Sequence, residues 1–292
     1  MINYDSVFLG DEMDAFFSST APVFDVDLGI TMDYLNGDRL PGVWVTEPLG
    51  DDDGNYLGRT YITLYPHSGP DFPYSTYEDE GGRDALHYGG CYYDEGMSYT
   101  DSDDHDKRVD CFRAAEVFYR HSAGQGNAMA SMCLGYVYSY DRCEGRYWRN
   151  PMTLETEEDY RRPYPREERA FECFKAAAEA GIPEACYKLG DMYKHGIGCE
   201  PDADSAYSWY TRASKLALGG ESPVVLGSIA LRLAGCFEEG IGCEQSFSCA
   251  LQMYRHAISA LDSAVENGES WYEKALAGAL AGEKRCLQEI TQ

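Results

Sequence analysis

Gly196-Ile197-Gly198-Cys199-Glu200 recurs as Gly240-Ile241-Gly242-Cys243-Glu244, the same five residues 44 positions later. Tyr193 and Phe237 each stand three residues before the first glycine, and Ala206 and Ala250 ten residues after it. A fixed period of this length marks stacked supersecondary units, none of which buries its apolar face alone. Chains built this way act by presenting surface, so the repeat speaks to architecture before it speaks to any partner.

Working outward, four first helices align. They read Ala85-x3-Gly89-Gly90-x2-Tyr93, Ala130-x3-Leu134-Gly135-x2-Tyr138, Ala185-x3-Leu189-Gly190-x2-Tyr193 and Ile229-x3-Leu233-Ala234-x2-Phe237. Apolar residues at i, i+4 and i+8 share one helix face. A glycine or alanine recurs after the second apolar position, although glycine inside a helix costs roughly 1 kcal/mol against alanine. This predicts close backbone approach of a neighbouring helix. The second helices read Ala115-x2-Phe118-Tyr119, Ala170-x2-Cys173-Phe174, Ala206-x2-Trp209-Tyr210 and Ala250-x2-Met253-Tyr254. Small residues facing rings let helices interlock without voids. Gly126 and Gly181 suit helix C-caps, and Pro183 suits the first turn that follows. The spacing predicts hairpins over 84–123, 127–180, 183–217 and 223–265, with a closing amphipathic helix near 270–290.

The set Ala185, Leu189, Gly190, Tyr193, Gly196, Gly198, Ala206, Trp209, Tyr210 and Ala213 resembles the Sel-one-like repeat, a relative of the tetratricopeptide repeat. The fourth copy matches nearly as well, and the first two are degenerate. The resemblance covers roughly residues 84–265. It implies a right-handed α-solenoid that serves protein–protein contacts, often as an adaptor. The expected fold class is therefore mainly α: about four helical hairpins after an irregular N-terminal segment. The expected domains are residues 1–83, an acidic capping segment, and residues 84–292, the solenoid with its C-terminal capping helix.

Two departures stand out. From the first glycine position to the second-helix alanine is ten residues in copies three and four, but 19 in copy one (Gly96 to Ala115) and 29 in copy two (Asp141 to Ala170). The resemblance also implies, for secreted cysteine-rich members, a paired cysteine at the end of one hairpin and the start of the next. Cys186 holds the second of those positions, but Ala178 holds the first, so that framework is absent. The eleven cysteines are an odd number without Cys-x-x-Cys. Cys133, Cys173, Cys236 and Cys249 fall on expected apolar faces and read as reduced, small hydrophobes. His87/Cys91 and His195/Cys199 are i, i+4 pairs, each only half of a zinc site.

The formal net charge is −26, of which residues 1–106 carry −20 (23 acidic residues against three arginines). This opposes direct phosphate binding and so direct nucleic-acid contact, and favours a basic protein partner or simple solubility. No stretch approaches the ~20 apolar residues of a membrane span, and the N-terminus lacks a basic region ahead of an apolar run. A cytoplasmic location is expected.

Residues 1–80 do not follow the repeat. Val43-Trp44-Val45-Thr46 and Arg59–Tyr65 alternate in strand fashion around the turn cluster Gly50–Asn55, which predicts a β-hairpin. Pro66, Pro70, Pro73, Gly81 and Gly82 mark a linker. The whole segment is expected to cover the open first end of the solenoid.

Chemistry is thinly represented. Loops counted from Asp51 or Asp101 lack the glycine and glutamate an EF-hand needs at positions six and twelve. Gly-x-Ser-x-Gly, a phosphate loop and His-Glu-x-x-His are missing from the sequence. No catalytic residue, metal or cofactor is therefore expected. Residues 142–169 interleave seven arginines with Tyr147, Trp148, Tyr160 and Tyr164, residue types enriched in interface hot spots. Seven acidic residues neutralise the same stretch, which reads as a loop docked on the chain itself or as a partner contact. The expected function is a non-catalytic protein-binding scaffold, with an acidic inhibitor of a basic toxin or nuclease as the alternative. Expected contact residues are Tyr136, Asp191, Lys194, Arg232 and Glu238 on first helices, and Tyr147, Trp148, Arg149, Tyr160 and Arg161 in the insertion.

Overall fold

A computed structural model describes residues 42–50, 56–66, 74–75, 79–145, 147, 163–217 and 222–291. The chain divides into two compact units, Met1–Ala176 and Ala177–Gln292. Among the described residues the helices are α1 (Arg83–Ser98), α2 (His105–Gly124), α3 (Ala128–Ser139), α4 (Arg166–Glu179), α5 (Pro183–His195), α6 (Ala203–Ala217), α7 (Pro223–Glu239), α8 (Phe247–Glu266) and α9 (Glu273–Ile290). They form consecutive helical hairpins on the expected spacing, a mainly α fold.

In the first unit, strands β1 (Gly42–Gly50) and β2 (Tyr56–Pro66) pair antiparallel, Gly42 opposite Pro66 through Leu49 opposite Arg59, with a register shift at Leu49/Gly50. A short β3 (Tyr74–Ser75) adds to β2. The expected turn at 51–55 and most of the expected linker lie outside the described residues. Helix α1 packs on α2, and α2 on α3. In the second unit α5 pairs with α6 and α7 with α8, α6 also meets α7, and α9 closes on α8.

One contact repeats through the hairpins. A Cβ placed on Gly135 would stand 3.0 Å from the Phe174 ring; on Gly190 it would stand 2.5 Å from Tyr210. The ring of the second helix thus rests on the backbone of the first, and the glycine is the space it occupies. The close neighbour is a side chain rather than another backbone. Leu134 and Leu189 beside these glycines are fully buried. Burying each ring contributes on the order of 2–3 kcal/mol. Between hairpins, Gly126 and Gly181 take φ +85° and +93°, the left-handed backbone that lets a helix stop and the chain reverse.

Copy one corrects the alignment by one residue. The ring of Tyr119 lies over Gly89, where a Cβ would stand at 2.6 Å, whereas a Cβ on Gly90 would meet nothing within 4 Å. Gly89, not Gly90, is therefore the partner of the ring, and the buried aromatics are Tyr88 and Tyr92, both 0% exposed. Tyr92 stacks on Phe118 at 5.7 Å. Tyr93 is displaced outward, because one residue of slip rotates a helical position by about 100°.

The start of α1 is fixed by polar contacts. Both Asp79 carboxylate oxygens accept backbone N–H bonds, from Asp84 and Ala85, each at 2.9 Å. Ser122 of α2 donates to the Gly82 carbonyl. His121 is buried beside this cap, its Nε2 3.7 Å from Asp79 and 2.8 Å from the Gln125 amide nitrogen. An amide nitrogen only donates, so that imidazole nitrogen accepts and the ring is neutral. Burial pushes the His121 imidazole down to about 4, against the pull of the Asp79 carboxylate.

Two outcomes are expected. Gly89→Ala should destabilise the chain by roughly 1–3 kcal/mol through overpacking, while Gly90→Ala should be neutral or stabilising by up to about 1 kcal/mol. Equal denaturation midpoints for the two variants would contradict the ring-on-glycine contact. For His121, the unfolded chain binds a proton near 6.5 that the folded chain does not. That component of stability is complete above about pH 6.5 and is lost as pH falls towards about 4. His121→Gln should flatten the slope of the urea midpoint across this window, and an unaltered slope would assign it to other groups.

Candidate functional site

With Leu and Gly turned inward, the same first helices turn another stripe outward. On α3 it is Met129, Cys133, Tyr136 and Tyr140, spaced i, i+4, i+7 and i+11. Asn127 starts this helix, its side-chain oxygen accepting from the N–H groups of Met129 and Ala130. Met129 is 44% and Tyr140 56% exposed. Tyr136 is held in place, stacked on Tyr140 at 5.8 Å and meeting Phe174 edge-on at 5.3 Å. In matching register α5 presents Glu184, Lys188, Asp191 and His195, and α7 presents Arg232, Gly235 and Glu239, with Ser228 at the first position buried. Only the α3 stripe is apolar among these three.

The insertion between α3 and α4 is fastened to the first unit at both ends. The Arg142 guanidinium lies over the rings of Tyr140, Phe112 and Tyr93 at 5.1, 5.3 and 5.6 Å, and its Nε donates to the Tyr93 hydroxyl. Arg166 donates to the carbonyls of Tyr138 and Ser139 at 3.0 and 3.2 Å, at the negative end of α3. Between them Tyr147 and Tyr164 stack at 4.7 Å, and Tyr138 meets Tyr147 at 5.2 Å. Tyr147 is 5% exposed and its hydroxyl donates to Asp141. It is a core residue rather than a surface contact. Trp148, Arg149, Tyr160 and Arg161 lie outside the described residues.

Beneath these rings is a buried charged pair. Glu116 and Arg120 are 0% and 1% exposed, and 3.4 Å apart one turn along α2. Tyr138 donates to Glu116 at 3.1 Å, and Arg120 reaches the hydroxyls of Tyr138 and Tyr164. Isolated charges at this depth cost several kcal/mol, and here the two charges hold each other and take up the Tyr138 and Tyr164 hydroxyls.

In the second unit the expected contact residues are engaged with one another. Asp191 accepts from Arg232 Nε and Nη2 at 2.7 and 2.6 Å and from the Tyr210 hydroxyl at 2.8 Å. Arg232 also donates to the Ser228 carbonyl and lies 4.4 Å over the Tyr187 ring. Burial opposes the Arg232 charge but the Asp191 carboxylate outweighs it, and its affinity for the proton rises. Burial, then the charge of Arg232, lowers that of neighbouring Lys188. Glu238 accepts from Arg285 at 2.6 and 2.8 Å and from the Tyr254 hydroxyl, which holds its carboxyl below the usual range. Lys194 reaches Glu239 at 4.0 Å. The fold therefore brings Asp191 and Arg232 together and ties Glu238 to α9. Both pairs form rigid, charge-balanced surface. What the sequence reading missed is Met129, Cys133 and Tyr140, although an apolar i, i+4, i+7 and i+11 stripe opposite Leu134-Gly135 would have marked them.

The cysteines are all free thiols. Cys186, at the position where the disulfide partner is missing, instead donates to the Ala178 carbonyl. Burial pushes the thiols of Cys111 and Cys236 up to about 12 and that of Cys186 to about 11. Cys249 does not lie on a buried face as expected: it is exposed in the first turn of α8, where its N–H serves the Ser246 cap. Among the described residues no group of three or more His, Cys, Asp or Glu is placed to hold a metal ion. None of their helices is long and apolar enough to cross a membrane.

The Sel1 repeat family model matches residues 164–182, 183–218 and 230–260. A 48-residue segment, 16% of this chain and 7% of the relative, is 42% identical to the chitin synthase regulator SKT5 of Saccharomyces cerevisiae. Over 165 residues, 55% of this chain and 22% of the relative, it is 28% identical to an uncharacterized Sel1-like repeat-containing protein of Schizosaccharomyces pombe. The matched segments thus span 7% and 22% of the length of these relatives. Among solved structures, a Sel1 repeat protein from Oxalobacter formigenes aligns over 70% of this chain and 75% of its own, with 20% identity and a TM-score of 0.39.

The thiol arrangement makes a direct prediction. Native-state titration with an aromatic disulfide reagent should show a fast phase carried by Cys249 and lost in Cys249→Ser. The buried thiols should react only on unfolding, because the thiolate is the reactive form and burial withholds it. A full complement reacting at one rate in native protein would contradict this burial.

Proposed function

We propose that this chain, a member of the Sel1 repeat family, is a non-catalytic scaffold that binds a protein partner through the outward faces of its first helices. The observation that carries the reading is the α3 stripe. Met129 and Tyr140 are exposed, and Tyr136 and Arg142 are locked around them. Rigid aromatic and methionine surface loses little entropy on binding and is the composition of an interface centre. Asp191, Lys194, Arg232 and Glu238 then serve as fixed polar contacts on the second unit. In the insertion, Trp148, Arg149, Tyr160 and Arg161 are further contact residues, and Tyr147 anchors the segment that carries them. The acidic excess favours a basic partner and disfavours nucleic acid.

A second reading rests on the net −20 of residues 1–106: an inhibitor that neutralises one basic enzyme. The readings separate by stoichiometry and affinity. An adaptor holds several partners with moderate strength, whereas an inhibitor holds one tightly in a single complex.

Affinity capture from the native host, at low and high salt, should be repeated with Met129→Asp/Tyr140→Ala. The double variant should lose at least about tenfold in capture, the scale of one or two central contacts. Capture that is undiminished by the double variant but abolished by salt would move the binding site from the α3 stripe to the acidic segment. Capture insensitive to both would defeat the proposal.

A further inference from the structure

Helix α9 carries the first-helix signature again. Leu280-Ala281 stands 47 residues after Leu233-Ala234, and Leu276 precedes it by four residues, as Ile229 precedes Leu233. In the earlier copies this leucine is sealed: Leu134 and Leu189 are 0% exposed and Leu233 is 8% exposed. On α9 it is open. Leu280 is 49% exposed, Leu287 40% and Ile290 49%. The opposite face is already occupied, since Ala279 and Cys286 are buried with Tyr254 and Leu261 of α8, and the Tyr254 ring fills the space beside Gly282. Among the described residues, the face that a second helix covers in every earlier hairpin is uncovered in α9.

We propose that this face is completed by α9 of a second copy of the chain, the two helices packing antiparallel about a two-fold axis. The residues fit their own image. An axis between positions 283 and 284 sets Leu280 against Leu287 of the second copy, and Lys284 against Glu283 of the second copy, twice over, Glu283 already accepting from Arg255 of α8 through one of its oxygens at 2.8 Å. Such an isologous contact needs one self-complementary patch. Helix α9 has one: its three acidic residues (Glu273, Glu283, Glu289) are balanced by Lys274, Lys284 and Arg285, in a chain of net −26. A strongly basic partner has no net charge to recognise here, whereas a copy of the same helix meets both its apolar and its charged positions. Ala281, and Gly278 with nothing within 4 Å of its Cβ position, leave room for close approach. Two helices meeting along 18 residues bury less than the ~1,600 Å² of a standard interface, so the dimer is weak, with Kd on the order of 10 µM.

Sedimentation velocity on the full chain from about 1 to about 200 µM should show a monomer–dimer equilibrium within that range. Leu280→Glu should keep the chain monomeric to the highest concentration with an unchanged circular dichroism spectrum, because the side chain is already half exposed. Lys284→Glu, a change at an exposed site that leaves the helix intact, places like charges together at both ends of the axis. It should weaken the dimer at least about tenfold, while Lys284→Arg should not. A wild-type chain monomeric throughout, or a dimer indifferent to Leu280→Glu and Lys284→Glu, overturns the proposal.

Discussion

A side-chain ring lying on a position that has no Cβ is the constraint on which the hairpins depend. Tyr119 over Gly89, Phe174 over Gly135 and Tyr210 over Gly190 each fix how near the second helix comes to the first. In these three copies the ring comes within 2.5–3.0 Å of where a Cβ would stand, so a ring on bare backbone sets the approach. The residue before the glycine, Tyr88, Leu134 or Leu189, is then fully buried each time. Glycine weakens the isolated helix, and the packed ring more than offsets that loss. The hairpin therefore has little stability in its separate helices and most of it in their contact.

The helices were legible because their signal repeats, and an error in one copy is checked by the others. Copy one still misled, and for a physical reason. Gly89-Gly90 and Tyr92-Tyr93 are doublets, so two phases of the helix satisfy the same pattern, and only the ring of Tyr119 chooses between them. Surface was harder to read than core. Asp191 and Arg232 were recognisable as outward residues, but not as partners, because 41 residues separate them and the contact exists only once α5 and α7 are packed. Tyr147 reads like a hot-spot residue by type. Its burial follows from the Tyr164 ring it stacks on and the Tyr138 ring it meets edge-on, while its hydroxyl serves Asp141, contacts that no local periodicity announces.

Charge is arranged with the same economy in both units. Where a carboxylate lies deep, as at Glu116, it is surrounded by donors; where it lies at a helix start, as at Asp79, it takes backbone N–H groups. At Asp191 and Glu238 it fixes an arginine and a tyrosine from other helices. In each place the acid orients its neighbours, and little of the excess negative charge is spent inside the fold. Most of the excess negative charge lies in the first third of the sequence, and a net charge of this size sets a long-range field.

The clasp formed by Tyr147 and Tyr164, with Arg142 and Arg166 on either side, has an evolutionary corollary. It closes the insertion at its base, bringing the two ends of the intervening segment to one stacked pair of rings. Lengthening a closed loop is cheap, about 0.6 kcal/mol for each doubling. The hairpin can therefore keep its packing while that segment changes in sequence and length. The clasp thus marks a place where the chain can lengthen at almost no cost to the packing of its own hairpin.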